Sequence, residues 1–175
     1  TIFDRLEARG ISWKFYVEDY KPDATFRSRM PNQALPRQIV KVPLMNLARF
    51  IDDPALSKHI VDLDEYYSDL KHGTLPAVAY IVANGASEPT PKSLTLGQRH
   101  LKVMLQELMR EFGLEPQRVL MIGDTTHDLQ MALNAGCPSV GVSYGAHEPD
   151  AFHALAPRFV AHSVPELHRW LLENA

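Results

Sequence analysis

Apolar residues occur along the chain in two patterns, which predict alternating strands and helices. Short continuous apolar runs are typical of buried strands, and they fall at residues 11–17, 77–82, 118–122, 139–143 and 158–161. Apolar residues at three- and four-residue spacing predict helices over residues 1–8, 44–51, 62–70, 94–112, 128–134 and 165–173. Prolines clustered between residues 21 and 43 indicate an irregular connection there.

This alternation indicates the α/β class, with a Rossmann-like, largely parallel sheet covered by helices in three layers. A chain of 175 residues, 45% of them apolar, is suited to one domain with a continuous core. We therefore expect a single α/β domain over residues 1–175, built around one sheet.

The distribution of charge changes near residues 103 and 104. Residues 1–103 hold 14 Lys+Arg and 12 Asp+Glu, whereas residues 104–175 hold 4 and 9. All seven lysines lie at or before Lys102. These differences predict a sequence junction at 103–104, inside the expected helix 94–112.

Composition excludes several classes of partner. A net charge of −3 and a pI near 6.2 argue against nucleic acid or an anionic membrane surface as the main partner. Cys137 is the single cysteine and cannot form an internal disulfide, and the apolar runs are far shorter than the roughly 20 residues of a membrane span. A cytoplasmic location is the expectation. No secretory signal is visible, but the start at Thr1 leaves an upstream segment open, so the missing signal says little about the compartment.

The most informative stretch runs from Val119 to Asp128, an apolar strand that ends in Gly123 and Asp124 and leads into a helix. Ligands of open parallel sheets sit beyond the carboxyl ends of the strands, so Asp124 and Asp128 are expected at such a crevice. Two carboxylates there suit Mg²⁺, which takes one or two protein carboxylates together with water and substrate phosphate. The alternative is that Asp124 and Thr125 only cap the helix.

Residues 104–175 resemble the C-terminal half of haloacid-dehalogenase-like (HAD) phosphatases. The resemblance rests on LQELM at 105–109, FGLEP at 112–116, GDTTHD at 123–128, AGCP at 135–138 and VSYGAH at 142–147. It implies a phosphoric-ester hydrolase in which Asp124 and Asp128 bind catalytic Mg²⁺ and Asp124 is a catalytic residue. It also implies an aspartate nucleophile in an Asp-x-Asp motif and a lysine that neutralises the phosphoryl charge.

Two elements of the HAD pattern differ in this chain. The only Asp-x-Asp is Asp62 to Asp64, which follows two apolar residues rather than a full strand and continues as a helix. The family lysine falls by spacing on Arg99, 25 residues before Asp124. We therefore expect Arg99 to be catalytic and to bind phosphate together with Thr125, with a planar fork of donors in place of a point charge.

The first part of the chain resembles an internal segment of the bacterial phosphoesterase family of acid phosphatases and phospholipase C enzymes. The resemblance covers residues 1–102 and rests on residues 1–16, VPLMN at 42–46, DDP at 52–54, HIVDLDEYY at 59–67 and GTLPAV at 73–78. An active-site loop of that family would fall after Val82. This chain has GASEPT at 85–90, without a histidine, so Glu88 is expected to be a solvated loop residue.

Two resemblances that meet within one helix indicate a chimera, natural or engineered. The first hypothesis for its function is a Mg²⁺-dependent HAD-like phosphatase acting on a small phosphate ester with an incomplete catalytic set. The second is a catalytically silent α/β domain with a structural or binding role. A phosphoesterase of the acid phosphatase or phospholipase C type is a further alternative, and a strand edge left exposed by the junction predicts a homodimer.

Gly141, Ser143 and Gly145 match the nucleophile pattern Gly-x-Ser-x-Gly at the end of a strand. This pattern offers a rival mechanism in which Ser143 is the nucleophile. Its base would be His162 or His168, and its orienting acid Asp150 or Glu166. The same segment is also explained as a strand and its exit loop.

Overall fold

Parallel strands connected through helices make up both parts of the chain in the computed structural model, which describes residues 1–28, 37–82, 91–146 and 149–174. The chain divides into two units, Thr1–Gly97 and Gln98–Ala175. The boundary lies inside one helix, Pro91–Phe112, which also contains the expected sequence junction. None of the helices in the described ranges combines the length and apolar character needed to cross a membrane.

The first unit is organised around the central strand β1. Strand order is β2-β1-β3, and both neighbours run parallel to β1, with Phe15 opposite Ile60 on one side and Tyr80 on the other. The strands are β1 (Trp13–Val17), β2 (Ile60–Asp62) and β3 (Val78–Val82). The helices are α1 (Ile2–Glu7), α2 (Arg37–Lys41), α3 (Ala48–Asp52), α4 (Pro54–Ser57) and α5 (Leu63–His72), with 3₁₀ turns at Phe26–Ser28 and Pro43–Asn46.

Burial of β1 on both faces explains its continuous apolar sequence. Tyr16 and Val17 are fully buried, and Trp13 is 1% exposed. Phe3 of α1 packs on Trp13 with ring centroids 4.7 Å apart, and Phe50 of α3 completes the aromatic cluster. A central parallel strand covered on both sides is expected to be apolar throughout rather than alternating.

The second unit repeats the architecture with a smaller sheet. Strand order is β4-β5-β6, all parallel, formed by β4 (Met121–Gly123), β5 (Ser139–Val142) and β6 (Phe159–Ala161). The helices are α6 (Pro91–Phe112), which belongs to this unit from Gln98 onward, α7 (Thr126–Ala135) and α8 (Val164–Asn174). The 3₁₀ turns lie at Pro116–Arg118 and Pro149–Leu155. Leu129, Val140 and Phe152 are fully buried and form the centre of this unit.

The α/β class with parallel sheets covered by helices, Rossmann-like, is confirmed. The strand pairing seen is internal to each unit. A single domain with one shared sheet over residues 1–175, and a junction at 103–104, stay predictions.

Three element predictions need correction. Residues 44–51 form a 3₁₀ turn and α3 instead of one helix, because Leu47 is extended (φ −112°, ψ 114°) and caps α3. The strand expected from residue 118 begins at Met121, because Arg118 and Val119 donate their amides to the turn carbonyls of Glu115 and Pro116.

The third correction concerns Ile60–Asp62, where only two apolar residues precede Asp62 and no strand was expected. These residues form β2, with Tyr16 opposite Val61 and Val17 opposite Asp62. This strand is defined by its pairing with β1. Two apolar residues in the sequence do not predict such a pairing.

Candidate functional site

Three polar residues follow the three strands of the second unit at their carboxyl ends. Asp124 follows β4, Ser143 follows β5 and His162 follows β6. The register pairs Gly123 with Gly141 and Val142 with Ala161, so the polar residues meet at one edge of the sheet. In parallel α/β sheets, this edge is where ligands bind.

Thr125 and Asp128 form a capping box at the start of α7. The Asp128 main-chain N–H donates to Thr125 Oγ1 at 3.3 Å, and Asp128 Oδ2 accepts from the Thr125 N–H at 3.0 Å and from its hydroxyl at 2.8 Å. Such a box satisfies main-chain donors that the first turn of a helix leaves without partners. Thr125 therefore caps α7, as the alternative interpretation of this stretch predicts, and Asp128 is its partner in the box.

Asp124 has a different role from the cap. Its Oδ2 accepts a hydrogen bond from the main-chain N–H of Ala146 at 3.0 Å, across the turn that follows β5. Asp124 and Asp128 are both half-buried. The sequence predicted the position of Asp124 but missed Ala146, because nothing in the local pattern shows that the turn after β5 returns to the end of β4.

Two glycines make room for the two carboxylates. A Cβ at Gly145 would collide with the Asp124 side chain, lying 2.6 Å from its Cγ. A Cβ at Gly123 would collide with Asp128 in the same way, at 2.6 Å from Cγ and 2.7 Å from Oδ2. Separations below 3.0 Å are not compatible with a real Cβ, so each carboxylate occupies space that only glycine leaves open.

The donor set is chemically suited to a hard cation. A carboxylate offers two oxygens with about four acceptor sites, so each of the two side chains keeps acceptor capacity beyond its contact through Oδ2. Mg²⁺ is bound by one or two carboxylates with water and phosphate oxygens filling the remaining positions. Within the described ranges, no group of three or more His, Cys, Asp or Glu side chains is placed to hold a metal ion.

The predicted phosphate-binding residues have different surroundings. Thr125 is half-buried and its hydroxyl already donates to Asp128. Arg99 lies exposed on α6, as does Lys102. The structure gives no contact that brings Arg99 to Asp124, and the side chain of Lys92 lies outside the described part.

Asp62, the first residue of the Asp-x-Asp motif, is engaged locally. Its Oδ2 accepts from the Tyr20 N–H at 2.8 Å, and its Oδ1 accepts from the Asp64 N–H at 3.0 Å as the N-cap of α5. Both oxygens therefore hold main-chain amides. Glu88 and the rest of the loop at 85–90 lie outside the described residues.

The serine of the Gly-x-Ser-x-Gly pattern has a histidine partner. Ser143 Oγ and His162 Nδ1 are 2.8 Å apart. Glu166, one of the two predicted orienting acids, accepts instead from the main-chain N–H of His162 at 2.8 Å. Of the two candidate bases, His162 is the one that the structure brings to Ser143.

Models of two protein families match different parts of the chain. The family model described as HAD-hydrolase-like matches residues 100–167, and the model of the Phosphoesterase family matches residues 1–124. The two matches overlap from residue 100 to residue 124, across most of α6 and β4. Two different families on one chain confirm both resemblances and fit a chimera.

Curated relatives match part of the chain. A phosphoglycolate phosphatase of Vibrio vulnificus is 38% identical over 73 residues, which are 42% of this chain and 32% of the relative. A phosphoglycolate phosphatase of Escherichia coli K12 is 40% identical over 55 residues, 31% of this chain and 22% of the relative. The chain thus spans about a third or less of the length of these relatives.

Two solved structures have low similarity to the chain. A haloacid dehalogenase-like hydrolase of Streptococcus pneumoniae has a TM-score of 0.40 at 16% identity, covering 93% of this chain and 99% of its own. A protein of Clostridium acetobutylicum described as a predicted phosphatase has a TM-score of 0.39 at 20% identity, covering 63% of this chain and 58% of its own. Because its family model covers residues 1–124 of 175, the chain belongs to the Phosphoesterase family, and its second part resembles HAD-like phosphatases.

Proposed function

We propose that the second unit binds Mg²⁺ and a small phosphate ester at the carboxyl edge of its sheet and hydrolyses the ester. The observation that carries the proposal is the position of Asp124, which follows β4 directly and is fixed through Oδ2 by the Ala146 N–H at 3.0 Å. A carboxylate that is held by the fold and half-buried is suited to bind a cation.

Asp124 and Asp128 would hold the ion, with Asp124 on the strand side and Asp128 on the first turn of α7. Bound there, Mg²⁺ would polarise the phosphoryl oxygens and offset their negative charge. Thr125 lies between the two carboxylates in sequence, and its hydroxyl donates a hydrogen bond to Asp128. The same hydroxyl proton would be shared between Asp128 and a phosphate oxygen when the ester is bound.

Arg99 would approach the phosphate through the bidentate geometry of its guanidinium group. This role requires the exposed Arg99 side chain to reach the edge that carries Asp124. The names of the relatives suggest phosphoglycolate as the first natural substrate to test.

The second candidate function is a silent domain, and the state of Asp62 favours it. A nucleophilic carboxylate needs an oxygen directed at the substrate, whereas both oxygens of Asp62 accept main-chain hydrogen bonds. In this hypothesis, the chain is a chimera whose catalytic set is incomplete, and its role is structural or limited to binding.

The test is turnover of p-nitrophenyl phosphate and phosphoglycolate with and without Mg²⁺. We expect Mg²⁺-dependent turnover that Asp124→Asn reduces by at least about hundredfold, since the substitution removes a charged ligand. Glu115→Gln is the matched control, because Glu115 is exposed and its side chain makes no capping bond.

Equal activity in Asp124→Asn would refute the carboxylate site. No turnover by either protein, combined with a Mg²⁺-dependent rise in thermal stability that Asp124→Asn abolishes, would assign the chain to binding without catalysis. No turnover and no response to Mg²⁺ would favour the silent domain.

A further inference from the structure

The edge of the second sheet carries a hydroxyl and imidazole pair that the phosphate-ester proposal does not use. Ser143 continues β5 and His162 continues β6, one residue beyond the paired positions Val142 and Ala161. Ser143 Oγ lies 2.8 Å from His162 Nδ1. This separation is in the range that joins a serine nucleophile to its general base.

Ordered main-chain contacts fix both partners. The Ser143 N–H donates to the Ala161 carbonyl at 2.9 Å, which extends the parallel pairing to the serine itself. The His162 N–H donates to Glu166 Oε2 at 2.8 Å, which ties the histidine to the first turn of α8. The pair therefore belongs to the sheet and not to a free loop.

The glycines on either side of the serine are required by packing. A Cβ at Gly141 would lie 2.8 Å from the ring of Phe152, and one at Gly145 would collide with Asp124. Among the described residues, the non-glycine residues with positive φ are Asp19 and Ala156, so Ser143 does not occupy the strained turn of an α/β-hydrolase. The pair is a dyad at the ends of two neighbouring strands.

The exposure of the dyad allows a substrate to reach it. Ser143 is half-buried and His162 is exposed.

We propose that Ser143 is a nucleophile with His162 as its general base, and that the dyad accepts the acyl group of small carboxylic esters. Ser143 Oγ attacks the carbonyl carbon as its proton passes to His162 Nδ1, and the same proton leaves with the departing alcohol. Water then cleaves the acyl-serine by the reverse route, releasing the acid and restoring the hydroxyl. No metal takes part in these steps.

The experiment uses the unaltered protein with EDTA present. It is treated with p-nitrophenyl acetate and, separately, with an alkyl fluorophosphonate, and the adduct is located by peptide mass mapping. We expect a burst of p-nitrophenolate and one fluorophosphonate adduct at Ser143. His162→Ala should slow adduct formation by at least about hundredfold, the usual range for loss of a general base.

Two substitutions serve as matched controls. Ser57→Ala removes another half-buried serine, and His168→Ala removes the exposed histidine of α8 that the sequence offered as an alternative base. Both should react at the unaltered rate, and Ser143→Ala should not form the adduct.

An adduct at any other residue, or no adduct in the unaltered protein, would overturn the proposal. The mapping needs no variant to fold, and undiminished labelling of folded His162→Ala would remove the histidine from the mechanism.

Discussion

The Ala146 main-chain N–H donates to Oδ2 of Asp124 at 3.0 Å and thereby joins the turn after β5 to the end of β4. The contact depends on the absence of a side chain at Gly145, where a Cβ would overlap Asp124. The orientation of the proposed metal ligand is therefore set by a residue of a neighbouring strand's exit turn.

Gly145→Ala should displace this turn or the Asp124 side chain. We expect a loss of about 1–3 kcal/mol in the free energy of unfolding, as for other overpacking substitutions, and a weaker thermal response to Mg²⁺. Urea unfolding and a Mg²⁺ titration would measure the two effects. Tyr144→Ala is the control, since this exposed neighbour should change the stability by less than about 0.5 kcal/mol.

The capping box predicts the effect of Thr125→Ala. Removing the hydroxyl leaves the Asp128 N–H without its acceptor and should cost about 1 kcal/mol of stability. Thr125→Ser keeps the oxygen and should retain most of it. If both variants unfold at the urea midpoint of the unaltered protein, the box contributes nothing to α7.

Lys14 pairs with two carboxylates that differ in burial, which gives a matched comparison. Its Nζ lies 2.6 Å from both Asp69 and Glu65, whose side chains are 12% and 44% exposed. Asp69→Ala also leaves the buried Tyr16 hydroxyl without its 2.7 Å acceptor and should cost about 3–5 kcal/mol. Glu65→Ala should cost less than about 1 kcal/mol, and equal losses in urea unfolding would refute this difference.

Acid should weaken the first unit through Asp69. Burial raises the pKa of this carboxyl, but hydrogen bonds from Lys14, Tyr16 and Thr74 outweigh burial and hold the pKa below its ordinary value of 3.8. Because the folded-state pKa is lowered, the stabilisation is present above that ordinary value and is lost as the pH falls through the folded-state value. Asp69→Asn should therefore show a flatter decline of stability in acid, and a decline as steep as that of the unaltered protein would exclude Asp69 as its source.

The edge strand β4 predicts a homodimer. It lies at one end of the order β4-β5-β6, and its Ile122 is 40% exposed. Among the described residues, β4 is paired with β5 along one edge, and a strand edge without a partner is a template for pairing with another chain. Light scattering should give twice the monomer mass, and Ile122→Lys should return the monomer, whereas Leu133→Lys on α7 should not. A monomer at all concentrations would contradict the prediction.

The local sequence pattern was sufficient to predict those strands and helix ends that are determined by their own residues. The apolar run at 77–82 forms β3, and Gly73 and Gly136 end α5 and α7 in the left-handed conformation that glycine favours. The position of Asp124 after a strand was also predictable, because an apolar run followed by Gly-Asp marks the end of that strand.

Tertiary pairing determines the features that the sequence could not provide. Strand β2 depends on its neighbour β1, and the Ala146 contact depends on a turn that returns across the sheet edge. The choice between His162 and His168 likewise required the register of β5 and β6, which places His162 beside Ser143.

Helix α6 has a practical consequence for dissecting the protein. The boundary between the units falls between Gly97 and Gln98, within Pro91–Phe112, and an isolated helical segment shorter than about 12–15 residues is marginal in water. Cutting the gene at the boundary would leave the first fragment with a short helical end that lacks its continuation. Expression fragments that each retain the whole of Pro91–Phe112 are therefore the better design for studying either half alone.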